Sequence, residues 1–99
     1  MKNVRFWNYG QYSSDNYGAH SMAFEDAYGN RYWFSYSTLV AFQGKYTERY
    51  VRKNEWGTTT GKHLNWIDGG DKKNRLDSEE FRMKFKEVFG YEEDEMKIA

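Results

Sequence analysis

The stretch Trp56–Asn74, WGTTTGKHLNWIDGGDKKN, decides how the rest of the chain is read. It holds four glycines, three consecutive threonines, one of two histidines, two of four tryptophans and a lysine pair. No helical or strand period of apolar residues runs through it. A long polar, glycine-rich connection inside a small domain is either functional or disordered. Trp56, Leu64, Trp66 and Ile67 supply enough apolar surface to argue for order. The stretch is therefore expected to be an ordered surface element, a loop or a short helix, that carries the contact chemistry. In its helical form Thr60 caps a segment Gly61–Ile67, whose first N–H groups and Lys62 face an anion or simply close an ordinary turn.

Downstream, Asp77-Ser78-Glu79-Glu80 is a capping box with Asp77 at N-cap and Glu80 at N3. Phe81, Phe85, Val88 and Phe89 follow as one apolar stripe, and Gly90 is the stop. The pattern predicts a helix over Ser78–Phe89 with its stripe in the core. Residues 91–99 open with Glu92-Glu93-Asp94-Glu95 and are expected to fray as an acidic tail.

Upstream the period changes to two. His20, Met22 and Phe24 alternate with Ser21, Ala23 and Glu25, and Arg31–Ser37 alternates Tyr32, Phe34 and Tyr36 with Trp33, Ser35 and Ser37. The loop Asp26–Asn30 between them, with Gly29, makes a hairpin. Leu39–Gln43 is apolar on both faces, as a strand covered from both sides would be. Gly44 interrupts, and Lys45–Lys53 resumes alternation. Val4, Phe6 and Trp7 add an edge strand, and Asn8-Tyr9-Gly10 is echoed by Asn16-Tyr17-Gly18 as two similar turns. The expected fold is α+β: a curved antiparallel sheet of about four or five strands, with the C-terminal helix packed on it. Residues 1–90 form the single domain.

Composition narrows the function. Nine Tyr, seven Phe and four Trp outweigh three Leu, two Ile and four Val, so aromatic rings build the core and tyrosine and tryptophan edges reach the surface. Net charge is zero, but residues 31–76 carry nine basic and four acidic side chains, while residues 77–99 carry four basic and eight acidic. The chain has no cysteine, which excludes disulfides and thiolate metal sites and fits a reducing cytoplasm. No apolar run approaches a membrane span, so a soluble cytoplasmic protein is expected.

The motifs for enzymatic chemistry fall short. Gly57-Thr58-Thr59-Thr60-Gly61-Lys62 has three residues between its glycines where a phosphate loop needs four, and His63 follows where Ser or Thr is required. His20 and His63 with Asp68 or Asp71 show no metal-ligand spacing, and Asp68-Gly69-Gly70-Asp71 lacks the ladder of a calcium loop. No catalytic residue, metal or cofactor is expected. What remains is binding. Arg49, Arg52, Lys53, Lys62, Lys72, Lys73 and Arg75 interleave with Tyr46, Tyr50, Trp56 and Trp66. Such a set fits a single-strand nucleic-acid binder, although zero net charge and the acidic end oppose it. It equally fits an aromatic, arginine-rich protein interface. The expected contact residues are Tyr46, Tyr50, Arg52, Trp56, Lys62, His63, Trp66, Lys72 and Lys73. Sheet edges would also permit a homodimer.

The runs Asn8-Tyr9-Gly10, Phe34-Ser35-Tyr36 with Thr38 and Val40-Ala41-Phe42, Val51-Arg52-Lys53-Asn54 with Trp56-Gly57, and Thr59-Thr60-Gly61-Lys62-His63-Leu64-Asn65-Trp66-Ile67-Asp68 resemble a domain of unknown function. That domain is carried by small proteins of bacteriophages, plasmids and related mobile elements. The resemblance spans about Asn8 to Phe89. It implies a mobile-element origin and assigns no reaction. By analogy with compact phage accessory proteins, it implies an inhibitor of a host defence protein, a CRISPR effector among the possible partners. Direct binding of single-stranded nucleic acid is the alternative, and a metal-dependent enzyme the remote one.

Overall fold

Leu39-Val40-Ala41-Phe42 has to be covered on both sides, and the architecture follows from how that is done. A computed structural model describes residues 4–10 and 20–93. Strands β1 (Arg5–Asn8), β2 (Ser21–Glu25), β3 (Arg31–Ser35), β4 (Thr38–Gln43) and β5 (Arg49–Val51) form one open antiparallel sheet in chain order. Two helices, α1 (Thr58–Asp68) and α2 (Ser78–Phe89), follow it, with a 3-10 turn at Lys72–Asn74 between them. The fold is α+β as expected, but an eleven-residue helix stands where a loop or short helix was anticipated.

The helices cover opposite faces. Ala23, Trp33, Val40, Ala41 and Val51 pack with Leu64 and Ile67 of α1. Phe24, Tyr32, Leu39 and Phe42 pack with Phe81 and Phe85 of α2. Successive strand residues normally alternate faces, yet Val40 and Ala41 share one. The register explains it: Trp33 pairs with Ala41 and Phe34 with Leu39, leaving Val40 as an extra residue in β4. That bulge lets β4 serve both layers. On the α2 side Phe42 meets Phe81 and Phe85 edge-on, with ring centroids 5.0 and 5.2 Å away.

The α2 signals act as read. Asp77 accepts from the Glu80 N–H at 2.8 Å, Glu80 accepts from the Asp77 N–H, and Gly90 ends the helix in the left-handed region at φ 81°. Two boundaries differ from the sequence reading. β3 ends at Ser35, because Tyr36 turns the chain at φ 57°, held by a ring stack on His20 at 4.2 Å. The strand expected over Lys45–Lys53 shrinks to β5, since Gly44 and Thr47 close a turn and Arg52–Lys53 leave to pair with Leu76. Within the stretch read as an acidic tail, Tyr91 packs edge-on against Phe85 and Glu93 pairs with Arg52 at 3.3 Å; residues 94–99 lie outside the described residues. In the Asn-Tyr-Gly echo, Asn8 Oδ1 accepts from the Gly10 N–H and the Ser21 hydroxyl. The second copy, Asn16-Tyr17-Gly18, lies outside the described residues.

Candidate macromolecule-binding face

Helix α1 is built by a stripe that hydropathy conceals. Thr60, His63, Leu64 and Ile67 are its buried residues, at the i, i+3, i+4, i+7 spacing of one helical face. Two of the four are polar, and β3 supplies their partner. The Ser35 hydroxyl lies 2.6 Å from His63 Nδ1 and 3.0 Å from Thr60 Oγ1, all within the interior. The helix is capped three residues before the expected Thr60. Gly57 is the N-cap and offers no side-chain bond; Thr60 instead turns inward. At the other end Gly69, at φ 68°, donates its N–H to Asn65 O, and Arg49 donates to Ile67 O at 2.7 Å. Each terminal carbonyl so engaged is one fewer left orphaned.

The opposite face of α1 is open. At about 100° per residue, Thr58, Lys62 and Asn65 project away from the buried stripe, with Trp66 on their flank one turn from Lys62. Beside them lies a cleft of about 520 Å³ bordered by Lys53, Asn54, Thr58, Gly61, Lys62, Asn65, Lys72 and Arg75. Its far wall is brought in by tertiary pairing: Leu76 bridges to Arg52 in parallel, donating to Val51 O while Lys53 donates to Leu76 O. The near wall is set by Asn54, whose side chain accepts from the Trp56 N–H and donates to Gly57 O. This turn carries Trp56 to the start of α1, 45 % exposed.

Arg75 ties the walls together. Its guanidinium donates to both Asp68 oxygens, at 2.7 and 2.9 Å, and to Asn65 Oδ1 at 3.0 Å. Burial works against ionisation of Asp68, but the Arg75 hydrogen bond and charge, with the N–H groups of Gly70 and Asp71, outweigh it. The carboxyl is held below the usual aspartate range.

The nine expected contact residues separate into groups. Trp56, Lys62, Trp66 and Lys72 gather at or beside the cleft and the outer face of α1. Lys73 is exposed next to Lys72 but does not border the cleft. Tyr46 is 90 % exposed in the β4–β5 turn, at the far end of β5, with the Lys45 amine 5.4 Å from its ring. Tyr50 packs on Phe42, on the sheet face that α2 covers, so it cannot share a surface with Trp66. His63 is fully buried and cannot meet a partner from outside. Arg52 is also interior: it donates to Leu39 O and Ser78 Oγ, pairs with Glu93, and stacks on Trp56 and Phe81. Both hold the scaffold together. The sequence reading missed Asn54, Thr58 and Asn65, which carry no charge or ring to draw attention.

A model of a family of unknown function, DUF8033, matches residues 7–83, which includes the second half of β1, all of β2 to β5, α1 and every residue bordering the cleft. The chain belongs to DUF8033. No curated protein and no solved structure matches it. Among the described residues of this DUF8033 chain, no helix is long and apolar enough to cross a membrane.

Proposed function

We propose that this DUF8033 chain is a non-catalytic accessory protein of a mobile element. It works by holding a host macromolecule, a component of host defence, against the outer face of α1. The observation that carries the reading is the division of α1 itself. One stripe is buried through Thr60, His63, Leu64 and Ile67, and the other presents Lys62, Asn65 and Trp66 over a basic cleft. A helix anchored by four residues offers its remaining side chains at little cost in ordering, which favours binding. Tryptophan beside cations is also the composition that dominates interface energetics.

The test is charge and ring reversal on that face. Lys62→Glu with Trp66→Ala should abolish retention of the cellular partner on the immobilised full chain. Tyr46→Ala, at the far end of β5, should leave retention intact. Equal retention by all three proteins would refute the proposal.

A further inference from the structure

We infer that the cleft between α1 and the Lys53–Asn54 and Lys72–Arg75 segments is a seat for the phosphodiester backbone of single-stranded nucleic acid. The inference rests on the reading of the α1 face as a contact surface and names what meets it.

Four observations converge. First, every ionisable side chain bordering the cleft is cationic: Lys53, Lys62, Lys72 and Arg75. Among the described residues neither Lys53 nor Lys72 has a carboxylate within 4.0 Å, and Lys53 feels only the charge of exposed Asp77 at the N-cap of α2. Asp68, the acid nearest in function, is turned away and borders a different hollow.

Second, Asn65 is oriented as a donor. Arg75 has only N–H groups to offer, so the Asn65 atom facing it at 3.0 Å must be the amide oxygen. The amide nitrogen is thereby directed elsewhere on a residue that borders the cleft. A donor beside lysines suits an oxyanion.

Third, the chemistry discriminates between anions. Bidentate recognition of a carboxylate calls for a free arginine fork. The one arginine here has Nε and both hydrogens of one Nη engaged by Asp68 and Asn65, so no two-nitrogen fork is left free. The lysines that remain are point charges of the kind that follow phosphates.

Fourth, rings flank the cations. Trp56 lies between the cleft residues Asn54 and Thr58 in sequence, and Trp66 follows Asn65; both are 45 % exposed. Exposed rings next to a cationic track are what unpaired bases stack on, and a duplex hides those bases.

The experiment is a fluorescence-anisotropy titration of the full chain with a labelled oligothymidylate, repeated from ~50 to ~200 mM salt. Each lysine that neutralises a single-strand phosphate contributes about 0.7 to the slope of log K on log salt. Lys53→Ala with Lys72→Ala should therefore lower that slope by about 1.4. That removes roughly a sevenfold loss of affinity across this fourfold salt range. Lys84→Ala with Lys86→Ala, on α2, should leave the slope unchanged. Both pairs are surface substitutions, and circular dichroism before titration verifies their folding.

Equal slopes for the two variants would mean diffuse attraction and would overturn the inference. So would displacement of the oligonucleotide by polyglutamate at matched charge, since an acidic protein would then be the natural occupant. Inorganic phosphate or a mononucleotide competing as well as the strand would reassign the cleft to a small ligand. Absence of any binding, with partner retention still lost in the Lys62→Glu, Trp66→Ala protein, would remove the inference and leave the proposed function standing.

Discussion

Replacing Leu64 by alanine separates a helix that belongs to the core from a ledge that merely lies on it. Leu64 has no exposed surface and packs among Trp33, Val40, Ala41, Val51 and Ile67 beneath α1. Leu→Ala at a sealed core position costs about 3–5 kcal/mol, the transfer loss plus the cavity left behind. In a domain this small each kcal/mol lowers Tm by about 4–8 °C, so a fall of at least ~12 °C is expected. In urea, with m near 1–1.5 kcal/mol/M, the midpoint should drop by roughly 2 M or more. The matched control is Thr58→Ala, on the exposed side of the same helix and of comparable chemistry to a surface position. Its effect should stay within about 0.5 kcal/mol. If Leu64→Ala costs less than about 1 kcal/mol, α1 is not held by the sheet and the buried-stripe argument fails.

Other consequences follow from single contacts. Asp68 is ionised more readily in the folded chain than in the unfolded one, so its contribution is complete above about pH 4 and is lost as pH falls through the lower folded value. Asp68→Asn should be less stable than the parent at neutral pH, and the difference should close on acidification; a gap that widens in acid would contradict the Arg75 clamp. A methyl group at Gly44 would come within 2.9 Å of Val88 Cγ1 and 3.2 Å of Thr47. Gly44→Ala should therefore cost about 1–3 kcal/mol, read by urea denaturation, and Val88→Ala should relieve part of that cost. Burial, then the charge of Asp26 and the neighbouring Tyr91, push the Tyr32 phenol far above the ordinary tyrosine range. In an ultraviolet titration Tyr32 should stay protonated well past the ordinary tyrosine range, and folded stability should decline above about pH 10 as the unfolded chain gains a charge the folded one refuses. Ionisation of all tyrosines together in a folded sample would rule that out.

The sheet and α2 were legible because their signals are local. Alternation in Ser21–Glu25 and Arg31–Ser35, the two-sided Leu39–Phe42 run and the Asp77–Glu80 capping box each need only neighbouring residues. Helix α1 was legible only as one of two options, a loop or a short helix over Gly61–Ile67, because half of its buried stripe is polar. Thr60 and His63 read as surface residues until Ser35, twenty-five and more positions away, is placed against them. The extra residue Val40 is equally silent, since a bulge changes register without changing composition. The turn at Tyr36 has neither glycine nor asparagine to announce it. The cleft is a tertiary product: Lys53 and Lys72 come together only because Leu76 bridges Arg52 and Arg75 grips Asp68. Reading the basic residues as one set caught its lysines and also swept in Arg52, which the fold needs inside.

A single strand seated in the proposed cleft would perturb the residues that border it. An amide and indole NMR titration with an oligothymidylate reads this residue by residue. Shifts are expected at Lys53, Asn54, Thr58, Lys62, Asn65 and Lys72 and at the indole signals of Trp56 and Trp66, while the buried Trp33 indole stays still. Shifts centred on the exposed β1 edge at Phe6, on Tyr28 in the β2–β3 turn or on Tyr46 in the β4–β5 turn would place the contact elsewhere and contradict the seat.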